Sequence, residues 1–318
     1  MATPISYYGA VDIGGTKIAS ALFTAGGQIS APAKVPIDKD GGDAAAAQVK
    51  AAVAALDDAA RLAGGHLAAV GLCVPGIAYA SSGRAWAPNI PGWDRYPLLE
   101  KIAAGLPLVL ESDRSAYVAG EAWKGAAAGA RDAVFLAVGT GIGAGIIAGG
   151  RIIHGHEDIA GAVGWFGLDP EFKPEYAAMG SFEAEASGNS VGRKARARLA
   201  SGEPSLVLEL AGGRIEDVTA ETVAAAARKS DPLALDVVDD VVTYLGMGIA
   251  NIVSILNPEI VVLGGGLFQA GDVFLEPVRR EFKRWAQPLA ARAVRIERST
   301  LGENAGLYGC GYLAWQRS

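Results

Sequence analysis

Cysteine and histidine are scarce in this chain, with two and three copies among 318 residues. Cysteines as far apart as Cys73 and Cys310, each in apolar or glycine-rich surroundings, make neither a disulfide framework nor a zinc knuckle. They read as buried thiols in a reducing compartment. Basic charge is thin as well: 28 Lys and Arg are scattered against 34 Asp and Glu, for a formal charge of -6. No stripe follows a phosphate backbone, so nucleic acid is excluded as an expected partner and a small neutral or anionic ligand is not. A Walker sequence, GxxxxGK followed by Ser or Thr, is missing. The opening MATPISYYGAVDIGG has no basic-then-apolar leader, which predicts a cytoplasmic protein. One uncharged stretch that approaches membrane-spanning length lies between Ala133 and Gly150. Its paired glycines and β-branched residues predict two strands about a turn, so no membrane contact is expected.

What is present is 51% hydrophobic and 19% charged, enough for one large or two medium cored domains. YYGAVDIGGTKIASALF predicts a strand, a Gly-Gly-Thr turn and a second strand, and DAVFLAVGTGIGAGIIAGGRII repeats that pattern. Helix is expected over Asp43 to Leu62, after the strand LPLVLESD, through much of 174–229, as one long element over Asp231 to Leu256, and from near Asn304 onward. The runs LAAVGLCV and EIVVLG read as buried strands. Strands interleaved with helices, with the strand-glycine-strand unit occurring twice, predict two α/β halves of related topology closing over a cleft. The small domain is placed at 1–118 plus 303–318 and the large domain at 119–302.

The glycines suggest phosphate. In the first turn Gly14 and Gly15 let backbone amides approach phosphate oxygens, Thr16 adds a hydroxyl donor and Lys17 a cation, and Asp12 suits a metal-bound water. An ordinary tight hairpin is the competing explanation. Gly139, Thr140 and Gly141 offer a similar cradle from the opposite half. Gly265 and Gly266, bare of side chains after a buried strand, can lie against a flat adenine or merely connect a strand to a helix. The run Gly139-x-Gly141-x-x-Ala144 also fits a dinucleotide fingerprint, but that fingerprint needs a helix where GIIAGGRII reads as strand.

With DIGGTK, VGTGIGAGII, LNPEIVVLGGG and GENAGLYGCG in this order, the sequence resembles the ROK family of bacterial sugar kinases and sugar-responsive repressors along nearly its whole length. The resemblance implies an α/β, actin-like ATPase (ribonuclease H-like) fold, ATP with Mg2+ held between two domains, a homodimer and a sugar or sugar-like substrate. The family's E-N-D segment is Glu111-Ser112-Asp113 here, which makes Asp113 the general base, unless it is only a helix N-cap. Gly76, Ser112, Asp113, Trp165, Glu183 and His156 are the expected substrate contacts.

Departures narrow the acceptor. The family's A-G-E-x-G-H is Ala160-Gly161-Ala162-Val163-Gly164-Trp165, so a glutamate has become Ala162 and a histidine Trp165. The zinc-binding CxCGxxGC stretch is replaced by text without cysteine, so no structural zinc is expected, although Glu183 keeps the acid position. Each lost polar contact is worth roughly 1–3 kcal/mol when a partner is left unpaired, which argues against plain glucose. Trp165 either stacks on a ring or fills core space, and the loop carrying His154, His156, Glu157 and Asp158 either substitutes for missing contacts or is solvated. The expected function is therefore phosphorylation of a primary, exocyclic hydroxyl on an unusual hexose, amino sugar or carbocyclic polyol. A catalytically silent sugar binder and a sugar-sensing regulator are the alternatives; Asp12 stands too early for a preceding DNA-binding module to be expected.

Overall fold

The computed structural model describes residues 5–318. The chain begins with an antiparallel meander of β1 (Ile5–Ile13), β2 (Lys17–Phe23) and β3 (Ile29–Pro36). Helix α1 (Gly42–Leu62) then leads to β4 (Gly65–Val74), parallel to β1. A ribbon of β5 (Ile77–Tyr79) and β6 (Arg84–Trp86) and the short α2 (Leu98–Ile102) precede β7 (Leu108–Ser112), parallel to β4. The resulting sheet has the order β3-β2-β1-β4-β7.

After α3 (Asp113–Lys124) the same plan is laid down again. An antiparallel meander of β8 (Ala133–Val138), β9 (Ile142–Ala148) and β10 (Arg151–Ile152) comes first. A helical stretch follows: α4 (Tyr176–Met179), α5 (Ser181–Ala186), α6 (Gly188–Ala200), α7 (Leu206–Leu210), α8 (Ala220–Ala227) and α9 (Pro232–Leu256). Strand β11 (Ile260–Gly264) returns parallel to β8. Beyond α10 (Gly271–Trp285) and α11 (Pro288–Ala293), β12 (Arg295–Arg298) lies parallel to β11, and α12 (Ala305–Arg317) ends the chain. The second sheet has the order β10-β9-β8-β11-β12, the counterpart of the first strand for strand. The uncharged text around residues 133–150 is thus β8 and β9, and among the described residues no helix is long and apolar enough to cross a membrane.

Local chemistry accounts for the long helices. In α1, Ala45, Ala46, Val49, Val53, Leu56 and Ala60 recur at helical spacing and are buried against the first sheet, while good helix formers fill the rest. In α9, the Asp231 carboxylate caps the start by accepting from Ala234 N at 2.9 Å, Pro232 occupies the first turn, and Asn257 ends the helix in the left-handed region at φ 44°.

Two helices join the halves. Side chains of α12 pack on β1 and β4 of the first sheet, whereas α3 packs on the second sheet through Val118 and Tyr117. The two helices also cross each other at backbone distance: a Cβ on Gly309 would lie 1.9 Å from Ala116 O, and one on Gly120 would lie 2.6 Å from Ala305 O. Only glycine fits that crossing. The boundary expected at residue 118 falls inside α3.

Candidate active site

The strand ends of the first sheet carry two carboxylates. Asp12 is the penultimate residue of β1 and sits beside the start of α12, where a Cβ on Gly306 would lie 2.4 Å from its Oδ2. Cys73 on β4 donates its thiol to Asp12 Oδ1 at 3.2 Å. Burial raises the Asp12 carboxyl above its ordinary value, with the Cys73 hydrogen bond and Lys17 opposing.

Asp113 is the first residue of α3, just past the end of β7. The helix cap is the residue before it: Ser112 Oγ accepts from Ser115 N at 3.2 Å and donates to Ser115 Oγ at 3.0 Å. That settles the question of an N-cap role for Asp113 in favour of Ser112. It also commits the Ser112 hydroxyl, expected on the substrate, to the helix. Asp113 has no ion-pair partner within contact distance among the described residues. Its Oδ1 accepts only from Arg114 N at 2.8 Å, and burial pushes the carboxyl up to about 6, with Arg114 pulling down and Asp12 pushing further up.

Arg114 was not anticipated from sequence. Its Nη2 donates to Gly76 O at 3.5 Å, and its side chain lies against Gly143 on β9, so it bridges the loop after β4 and the second sheet. Another such bridge lies nearby: His154 Nε2 is 2.8 Å from Glu111 Oε1, joining the edges of the two sheets, and that carboxylate raises the His154 pKa. The loop histidines therefore separate. His154 holds a buried acid, while His156, expected on the substrate, is 96% exposed with only Glu157 near it, at 3.5 Å.

Two of the three glycine elements meet, and the first is tied to them through Lys17 and Glu303. Gly14 closes the first turn by donating to Lys17 O at 2.8 Å, and Thr16 is exposed. Lys17 and Lys34 reach Glu303 at 3.6 and 3.2 Å, so the Lys17 cation has a carboxylate partner ahead of α12. Glu303 and Ala305 in turn line a cavity of about 340 Å3 with Gly264, Gly265 and Gly266. Gly265 has φ +88° and a Cβ on it would lie 2.4 Å from Val138 O, which no other residue satisfies. Gly266 faces open space, with its N 3.8 Å from where a Cβ on Gly139 would stand. Gly139 O accepts from Gly188 N at 2.8 Å, and Thr140 is exposed at the tip of the second turn. Bare backbone beside a cavity of this size fits a nucleotide: phosphate approaches amides from which no Cβ projects. Among the described residues no group of three or more His, Cys, Asp or Glu is arranged to hold a metal.

The second turn is less free than expected, because Glu183 Oε2 accepts from Ile142 N at 2.7 Å. Glu183 sits against Gly141 and Gly164, and burial raises its pKa while the Ile142 amide opposes. Its helix, α5, is pinned by a charge cluster. Glu185 takes Lys173 Nζ and Lys194 Nζ at 2.7 Å each and Tyr176 OH at 2.5 Å. Burial opposes ionisation of Glu185, but these partners hold it at about 2. Ser181 Oγ adds bonds to Leu168 N at 2.8 Å and Phe166 O at 2.7 Å, tying the preceding loop to α5. In that loop Trp165 is 59% exposed, so it is not core filler.

Twin five-stranded sheets, joined by crossed helices and meeting at glycine turns and strand-end acids, define a protein of the actin-like ATPase fold. This chain belongs to the ROK family, whose model matches residues 8–317. It is 37% identical to a glucokinase of Halalkalibacterium halodurans, across 98% of this chain and 96% of that protein. It is similar to the structure of a ROK family glucokinase from Streptomyces griseus in complex with glucose and AMPPNP, at TM-score 0.80 and 30% identity over 98% and 99% of the two chains. The structure of a ROK hexokinase from Thermus thermophilus matches at TM-score 0.80 and 30% identity over 98% of each.

Proposed function

We propose that this carbohydrate kinase transfers the terminal phosphoryl group of ATP to a primary, exocyclic hydroxyl of a hexose-like ring, with Asp113 as general base. The observation that carries the reading is the placement of Asp113: a carboxylate just past a strand end, without an ion pair among the described residues, with a pKa of about 6 and within electrostatic reach of Asp12 ahead of the first glycine turn. At neutral pH such a group is ionised, yet more basic than a solvated aspartate, which suits it to take a hydroxyl proton as the oxygen attacks phosphorus.

Amides of the first and second turns would receive the phosphates, Gly265 and Gly266 the adenine, and Asp12 a water on Mg2+. Bound Mg-ATP supplies the electrophilic phosphorus and neutralises charge on the transferring group. Arg114 positions the loop of Gly76 against β9, so the base and the acceptor wall are held together. In this reading residues 1–118 with 303–318 face residues 119–302 across the cleft, α3 spans the divide, and the protein is a cytoplasmic homodimer.

The acceptor we favour is not plain glucose but an amino sugar, an unusual hexose or a carbocyclic polyol. Ala162 presents a methyl group and Trp165 an exposed aromatic face where polar contacts would hold ring hydroxyls, and Glu183 remains as an acceptor. An ATP-consumption assay over glucose, N-acetylated hexosamines and cyclitols tests this. A kcat/KM for glucose above all others defeats the acceptor assignment, and no turnover with any ring alcohol defeats the reaction.

A further inference from the structure

Away from the cleft, α10, α11 and β12 border an open cavity of about 730 Å3. Five basic side chains line it: Arg279, Arg280, Lys283, Arg292 and Arg295. In an acidic chain this concentration needs a cause. Basic residues in the last turn of a helix complement its dipole, which accounts for Lys283 on α10 and Arg292 on α11. It does not account for Arg280, which stands a turn earlier on α10, or for Arg295, which comes to the same cavity from β12.

The carboxylates do not neutralise the group. Glu276 pairs with Arg279, and Glu297 with Arg295 at 3.0 Å. Arg279 is further fixed by Nε and Nη2, which donate to Ile296 O at 2.8 and 2.5 Å. Arg280, Lys283 and Arg292 have no carboxylate within ion-pair reach among the described residues, so three like charges converge uncompensated on one concavity. Phe282, Ala291 and Ile296 make its floor apolar. An unneutralised cationic rim over an apolar floor recognises a compact anion that carries a hydrophobic face.

We propose that this cavity binds a small phosphorylated metabolite, with at least two phosphoryl groups on the rim and a ring on the floor, at a site separate from the catalytic cleft. The site is also placed to be felt there. Strand β12 contributes Arg295, Ile296 and Glu297 to this cavity, and its last residue, Arg298, lines the cavity beside Gly265 and Gly266.

The test is calorimetric titration of the full chain, saturated with a non-hydrolysable ATP analogue so that the cleft is filled. The probes are fructose 1,6-bisphosphate and inorganic tripolyphosphate. Saturable one-to-one binding of the bisphosphate is expected, weakened at least roughly tenfold in the triple variant Arg280→Ala, Lys283→Ala, Arg292→Ala, because charge-assisted contacts are removed. A control variant with Lys39→Ala, Lys50→Ala and Arg317→Ala should bind as the parent does. Basal kinase turnover and the melting temperature of the triple variant should match the parent, which separates this site from the catalytic reading. A flat titration, or equal binding by the triple variant, overturns the site. Tripolyphosphate binding as tightly as the bisphosphate overturns the role of the apolar floor.

Discussion

The two sheets repeat one strand order, yet only the first places carboxylates free of an ion pair among the described residues at the ends of β1 and β7; the second sheet's strand-end acid, Glu297 on β12, is paired with Arg295. Asp12 is the penultimate residue of β1, and the same position in β8 is Ala137; β7 runs into Asp113, whereas β12 ends at Arg298. The second half contributes backbone instead: the turn at Gly139–Gly141 and the bare run at Gly265–Gly266. The frame is thus symmetric while its chemistry is not: both halves offer glycine turns, but Asp12 and Asp113 both stand on the first sheet's strand ends.

That division can be broken first at Asp113. Asp113→Asn should lower turnover roughly a hundred- to ten-thousand-fold while nucleotide affinity stays near the parent value, as read by coupled ADP release and titration. The parent kcat/KM should fall on the acid side with a midpoint near 6, a limb absent from the residual activity of the variant. Stability should move the other way. An acid whose folded pKa lies above its unfolded value gains folded-state stability on protonation, as pH falls below about 6, and loses that gain as pH rises through 6. Near pH 7.5 the neutral Asn should therefore raise Tm. A fall in Tm alongside intact turnover would remove Asp113 from the mechanism.

Within the second half, Glu185→Ala leaves Lys173 only Asp169 and Lys194 only Asp240 beside the vacated site, takes one partner from the Tyr176 hydroxyl, and should cost about 1–3 kcal/mol in denaturant unfolding. Acceptor KM should rise more than kcat falls, because α5 carries Glu183. Equal loss in both would make the cluster purely structural. A smaller contrast separates Gly265 from Gly266. Gly265→Ala forces an L side chain at φ +88° against Val138 O and should cost about 1–3 kcal/mol, whereas Gly266→Ala meets open space and should change stability by less than about 0.5 kcal/mol. Loss of nucleotide affinity in the Gly266 variant at unchanged Tm is what an adenine site there requires. His156→Ala should leave every kinetic constant within error, since the ring is solvated; a raised acceptor KM would return it to the site.

Much of this was legible in sequence for physical reasons. Strands covered on both faces, such as β8 and β11, announce themselves as apolar runs, and the caps of α9 are written as Asp231, Pro232 and Asn257. Strand β3 went unread because every residue in it is exposed and Pro32 and Pro36 interrupt it, as an edge strand tolerates. The first glycine turn was found, but the partnership of Lys17 with Glu303 spans nearly the whole chain and leaves no local pattern. The same holds for Cys73 under Asp12, for Glu111 with His154, and for Arg114, whose role depends on where β9 passes. The cap role of Ser112 could not be read apart in sequence, because a cap and a substrate contact ask for the same hydroxyl.

The bond from Ile142 N to Glu183 has a further consequence. One amide of the turn proposed for the donor is already spoken for by an acid proposed for the acceptor, so neither binding step can be retuned alone. Natural drift toward a new ring alcohol at position 183 would loosen the nucleotide's seat in the same stroke, and a lineage changing its substrate would have to re-secure that turn as it went.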